Sequence, residues 1–249
     1  MTEIMLHRLL HCYEVGVEQV RARFAEASGI TTLLAPDIDP LLLEQFFIHF
    51  CSQGVALTEP VEGWLLRSGQ RCEEVGFAEL GRALRSHAKA ESGHHLMMIR
   101  DTHALAARWN ARRTPPLDAE QLLNRLPTPG GQMYRKLHED TIASNTPFAQ
   151  IALEYEMEIL PVKYGPQLIA QCRRLLGADI LTCLSFIDEH ITLDVGHTQF
   201  NTRQLERVLD DHPECLEPFV RAGSQVLRAY ATFMRDCLAL AQDAVRSLP

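Results

Sequence analysis

Apolar residues recur at three- and four-residue spacing along most of the chain, as in Leu205, Val208 and Leu209, and again in Phe219, Val226, Leu227 and Tyr230. That is the period of a helix burying one face. Runs alternating Val, Ile, Thr and aromatic residues between hairpin dipeptides do not occur, so the pattern predicts an all-α protein. Helices are expected near 3–28, 38–55, 61–70, 75–112, 131–145, 147–175, 178–198, 200–210 and 214–246, the sixth disturbed by Pro161 and Pro166. The strongest punctuation, RRTPPL at 112–117 and PTPGG at 127–131, brackets a segment too short for a domain and predicts a surface excursion. Helices of similar character flank it, and residues 1–249 are read as a single domain.

Composition narrows the class. Hydrophobic residues make up 46% of the chain, enough for a packed core and far from a disordered composition. Twenty-four Lys and Arg against 32 Asp and Glu give 24 − 32 = −8 with histidine neutral. Without a long cationic run, that balance argues against nucleic acid and anionic membrane surfaces as partners. No stretch approaches the ~18 apolar residues of a membrane span, and Glu3, His7 and Arg8 interrupt the start of the chain, which argues against an export signal. Seven cysteines, an odd number with no Cys-x-x-Cys, signal neither a disulfide framework nor a thiolate zinc site. A reducing cytoplasm is the expected location.

Three segments carry candidate chemistry. Glu91-Ser-Gly-His94 places a carboxylate and an imidazole three residues apart, about 300° round a helix and therefore neighbours on one face. Such a pair on an inward face is a building unit of di-metal carboxylate bundles. About a hundred residues later, His190, Asp194 and His197 stack at i, i+4 and i+7 on a helix made apolar by Leu184, Ile187 and Ile191. Burying two imidazoles and a carboxylate there is costly unless they are paired or bind a metal. The third segment offers Glu154, Glu156 and Glu158. Glu154 and Glu158 share a face and either is the inward candidate, while a solvated acidic stripe accounts for the others. Imidazole and carboxylate without thiolate suit oxidisable iron or manganese better than structural zinc, and six donors exceed the needs of one catalytic metal.

These residues resemble the haem-oxygenase-like di-iron oxidases and oxygenases, which include a fatty-acid decarboxylase, amino-acid-fragmenting oxidases and an N-oxygenase. The segment His190-x-x-x-Asp194-x-x-His197 matches that family's last ligand helix, and Glu91-x-x-His94 followed by a hydrophobic run and Asp101 is similar to its first. Where some relatives carry a histidine seven residues after the glutamate, this chain has Met98, so the ligand there is either His94 or His95. The resemblance runs loosely over residues 40–235. It implies a haem-oxygenase-like bundle of about seven core helices, of the superfamily that also holds TenA- and PqqC-like enzymes. It also favours Glu158 over Glu154.

The implied cofactor is two ferrous ions, the second readily lost. His94, Glu158 and His190 would hold one, and Glu91, Asp194 and His197 the other. The implied activity is dioxygen-dependent oxidation, oxygenation or fragmentation of a small molecule such as a fatty acid, an amino acid or an amine. An external electron donor and a homodimer are further expectations. Phe47, Cys51, Met98 and Tyr155 are the candidate substrate-pocket residues, and Arg100 and Lys163 candidate carboxylate receivers. The rival readings are a metal-free helical scaffold, a haem enzyme using His7, His11 or His49, and a thiaminase-type enzyme using Cys51 or Cys183.

Overall fold

The computed structural model describes the backbone of residues 3–248 and the side chains of residues 9–248. Eleven α-helices follow one another: α1 (Glu3–Ala27), α2 (Ile30–Leu33), α3 (Pro40–Thr58), α4 (Val61–Glu74), α5 (Ala78–Glu91), α6 (His94–Asn110), α7 (Ala119–Leu123), α8 (Pro129–Ala143), α9 (Gln150–Leu176), α10 (Ser185–Asp211) and α11 (Leu216–Arg246). Among the described residues there is no β-strand, as the periodicity predicts. Nor, among the described residues, is any helix long and apolar enough to cross a membrane.

Local chemistry sets several helix starts. The Asp39 side chain accepts the Leu41 N–H with Pro40 in the first turn of α3, and Thr128 caps Gly131 with Pro129 opening α8. Both obey the preference for a side-chain acceptor followed by proline at a helix start. The segment expected as a surface excursion is largely exposed and contains α7, which packs on α3 and α6 and buries Leu122.

Three expected boundaries move. The helix expected over 75–112 is two helices, because Gly93, at φ 85°, takes a left-handed conformation that glycine adopts without strain. The helices expected over 178–198 and 200–210 are instead a short 3₁₀ segment at Ala178–Cys183 and one continuous α10. Pro161 and Pro166 do not divide α9.

The core runs through the whole bundle, with Trp64, Trp109, Tyr13, Phe46, Phe47 and Phe219 essentially sealed from water. Two buried ion-pair clusters fix helix against helix. Glu44 of α3 is fully buried against Arg108 and Arg113 at the end of α6. Glu156 of α9, also fully buried, meets Arg21 of α1 at 2.6 Å and accepts the Tyr13 hydroxyl at 2.6 Å. Removing one partner of such a pair leaves an uncompensated charge, so both clusters constrain how the helices can sit.

The α4–α5 hairpin positions the first half of the site. It closes at Gly69 and Gly81, where a Cβ on either would lie 2.5–2.6 Å from the other's carbonyl oxygen. Gly69→Ala and Gly81→Ala should each destabilise the protein by about 1–3 kcal/mol through overpacking. Gly63→Ala, also in α4 but facing open space, should be neutral or stabilising by up to about 1 kcal/mol. Urea denaturation compares them, and equal behaviour of Gly63 and Gly69 would refute the close-approach account.

Candidate metal centre

The site is assembled from four helices. His87 and Glu91 stand one turn apart on α5, so they share a face. The chain then reverses through Ser92 and Gly93, and His94 opens α6. Glu91 and His94 are therefore not helical neighbours, as their spacing suggests, yet the tight turn brings Glu91 Oε2 and His94 Nδ1 to 2.9 Å. Helix α9 supplies Glu158, and α10 supplies His190, Asp194 and His197 in the expected register.

These donors form two sets that share Glu91, with the donor atoms of each set within 4.8 Å of one another. In one, Glu91 and His94 meet His190, whose Nε2 lies 3.2 Å from His94 Nδ1. In the other, Glu91 joins His87, Glu158 and His197. His87 Nε2 is 2.9 Å from Glu158 Oε1, and His197 Nδ1 is 3.2 Å from Glu91 Oε1. Glu91 thus turns one oxygen toward each set. Glu158 sits with His87 and His197, not with His94 and His190 as the resemblance divides them. Asp194, almost wholly buried, lies 3.3 Å from His197 Nδ1.

Nothing in the sequence reading marked His87. Its signal was available, since it lies four residues before Glu91 on the same amphipathic stripe as Leu80 and Leu84. His95 belongs to neither set. Glu154, Glu156 and Glu158 are all buried, so no solvated acidic stripe exists on α9.

Surrounding contacts orient the donors. His190 Nδ1 lies 2.6 Å from the Phe186 carbonyl. A carbonyl only accepts, so Nδ1 carries the proton and Nε2 presents its lone pair to the site. Asn201 Nδ2 donates to Glu158 Oε2, leaving Oε1 for the site. The Phe200 ring stacks on His87 at 5.2 Å. Asp101 of α6 accepts the Ser185 and Phe186 N–H groups at 3.1 and 2.8 Å and the Ser185 hydroxyl at 2.7 Å, anchoring the start of α10.

The electrostatics suit a cation. Burial, then nearby Asp194, pushes the Glu158 carboxyl well above its usual range. Burial lowers His87 and His190, keeping both imidazoles neutral and ready to coordinate. Burial alone would raise Glu91, but contact with His94 and proximity to His87 and His197 leave it below its ordinary value. The Asp194 contact raises His197 to about 9. Although three carboxylates lie within 3.7 Å of His197 Nδ1, none sits at a hydrogen-bonding angle. His197 Nδ1, buried among three carboxylates and hydrogen-bonded to none, and donor sets built of imidazole and carboxylate with no thiolate, fit a pair of divalent cations.

A cleft of about 720 Å³, open mouth included, exposes Glu91, His94, Glu158, His190 and Asp194 together with Met98. A second, almost wholly apolar chamber adjoins it, and Phe47 lies in its wall. Cys51 and Tyr155 line neither, since Cys51 is in the core and Tyr155 donates its hydroxyl to Glu14 at 2.8 Å. Arg100 and Lys163 are exposed and line neither cavity.

Comparison with solved structures decides the architecture. A domain of unknown function with a haem-oxygenase-like fold from Shewanella denitrificans OS217 aligns at a TM-score of 0.72 and 15% identity, covering 92% of this chain and 93% of its own. The fold is haem-oxygenase-like. A CADD-like protein of unknown function from Nostoc punctiforme PCC 73102 aligns at a TM-score of 0.59 and 12% identity, over 92% of this chain and 99% of its own. No protein-family model and no curated protein matches the sequence. At these identities the likeness concerns the haem-oxygenase-like fold itself, while the donors described above belong to this chain.

Asp101→Ala should remove the anchor of α10, at a cost of about 1–2 kcal/mol, as for other lost helix caps. Hydrogen exchange at the Ser185 and Phe186 amides should then speed up while exchange in α11 is unchanged. Unaltered exchange at Phe186 would show that Asp101 does not hold the helix.

Proposed function

We propose that this chain is a non-haem di-iron enzyme that uses dioxygen to oxidise, oxygenate or fragment a small organic substrate. The observation that carries the reading is Glu91, whose two oxygens face two separate donor sets. His94 and His190 would complete one iron site, and His87, Glu158 and His197 the other, with Asp194 beside His197 as a further donor. The imidazole-carboxylate character of the sets favours iron or manganese over structural zinc, and dioxygen chemistry favours iron.

Ferrous ions supply the electrons that dioxygen cannot take directly from a closed-shell substrate. The chain's own residues do the rest. The Phe186 carbonyl and Asn201 hold His190 and Glu158 in coordinating orientation, and the cleft places substrate beside the donors. The apolar walls, Met98 and Phe186 among them, keep bulk water away. Where the substrate does not itself supply all the electrons that dioxygen takes up, an external electron donor would supply the rest.

Two rival readings find no support in the geometry. A thiaminase-type enzyme needs an activated thiolate, but Cys51 and Cys183 are buried and burial raises both thiols. For haem ligation by an early helix, His7 lies outside the residues whose side chains are described and His11 is exposed. His49 is buried on α3 and lines neither cavity.

Protein loaded anaerobically with ferrous iron should bind about two equivalents and consume oxygen on mixing, measured by elemental analysis and an oxygen electrode. His87→Ala, His197→Ala and His190→Ala should each weaken iron binding by more than the roughly 10–100-fold typical of residues behind the ligands, with helical circular dichroism retained. Absence of specific metal would overturn the reading. So would a protein inert to oxygen whose zinc form hydrolyses a substrate.

A further inference from the structure

The cleft adjoins the apolar chamber, and Pro161, Phe186, His190 and Tyr230 line both. Helix α9 forms one wall of this path, presenting Glu154, then Glu158, Pro161 and Leu168. At 1.5 Å per residue, Glu154 stands about 10 Å along the helix from Pro161 at the chamber junction, with Glu158 between them.

Glu154 faces the cleft but belongs to neither donor set. Gln150 Nε2 donates to its Oε1 at 2.6 Å, and among the described residues no basic side chain forms an ion pair with it. Glu156, on the same helix and equally buried, shows the contrast, being matched by Arg21 and Tyr13. Burial, then nearby Glu158, raises the Glu154 carboxyl to about 8, so without a cation beside it the group keeps its proton, and an ammonium alongside would let it ionise. Among the described residues no lysine or arginine lines the cleft or the chamber, so a substrate carboxylate would find acids and no cationic side chain. The chamber walls, with Phe24, Phe46, Phe47, Phe50 and Leu168, accept hydrocarbon and offer almost nothing polar.

We propose that the cleft binds a primary amine with a long hydrocarbon body, its ammonium on Glu154 and its tail in the aromatic chamber. The middle of such a chain passes the donor sets. That last feature rests on the di-iron reading, whereas the binding itself does not. Glu154 is thus a specificity-determining residue, and Leu168 marks the far end of the tail's path.

Calorimetric titration of the metal-free full chain with octylamine and octanoate tests this. Octylamine should bind at least about tenfold more tightly than octanoate, the scale of a hydrogen bond between charged groups. Affinity should rise about fourfold per methylene from octylamine to dodecylamine as the added hydrocarbon leaves water for the chamber. Glu154→Gln should abolish the preference for octylamine while metal content is unchanged, and Leu168→Phe, about 21 Å along the helix from Glu154, should weaken hexadecylamine binding while leaving octylamine unchanged. Octanoate binding as tightly as octylamine, or a preference that survives Glu154→Gln, would overturn the proposal. Loss of metal in Glu154→Gln would also overturn it by making Glu154 a ligand. An amine preference that depends on Glu154 in a protein that takes up no metal would sustain this site and refute the di-iron reading instead.

Discussion

Glu91 is the point on which the rest of the arrangement depends. It ends one helix, sits inside the bundle and lies among His87, His94 and His197 with Glu158 close by. Carboxylates and imidazoles gathered in a low-dielectric interior repel or strand one another unless something positive joins them or protons redistribute. Without a metal, burial pushes Glu158 up and His87 and His190 down, while the Asp194 contact raises His197 to about 9. Divalent cations resolve the same conflict directly, and coordination by the donors described would also displace protons from Glu158 and His197.

The remainder of the bundle keeps this costly cluster in place. The Gly69–Gly81 approach packs α4 tightly on α5, and hence sets where His87 and Glu91 project. Glu156, two residues from Glu158, ties α9 to α1 through Arg21. Asp101 ties α10 to α6, the helix that begins with His94. Each of the four helices bearing donors is thus fixed by a contact outside the donor sets, the form of support that holds metal ligands in register.

Much of this was legible in the sequence, for reasons that differ by segment. His190, Asp194 and His197 were readable as one face because α10 is an unbroken helix, so spacing translates into direction. Glu91 and His94 were read as neighbours through a helical geometry the chain does not have. They meet because Ser92 and Gly93 reverse it, and a single glycine in a strongly helical pattern gives little warning of a turn. His87 escaped notice because it precedes the recognisable pair, although its four-residue offset from Glu91 is helical. On α9 periodicity placed Glu154 and Glu158 together but could not expose the fate of Glu156, which is settled by an arginine 135 positions earlier in the chain. Long-range ion pairing of that kind leaves no local pattern. The haem-oxygenase-like fold was implied by resemblance, because helical periodicity alone does not distinguish one all-α bundle from another.

The central claim is that Glu91 bridges two metal ions. Anomalous diffraction at the iron edge, from crystals grown anaerobically with ferrous iron, tests it most directly. The account predicts two peaks flanking the Glu91 carboxylate at the roughly 3.5–4 Å separation of two-metal sites, one beside His94 and His190 and the other beside His87 and His197. A single peak, peaks remote from Glu91, or none at all would contradict it.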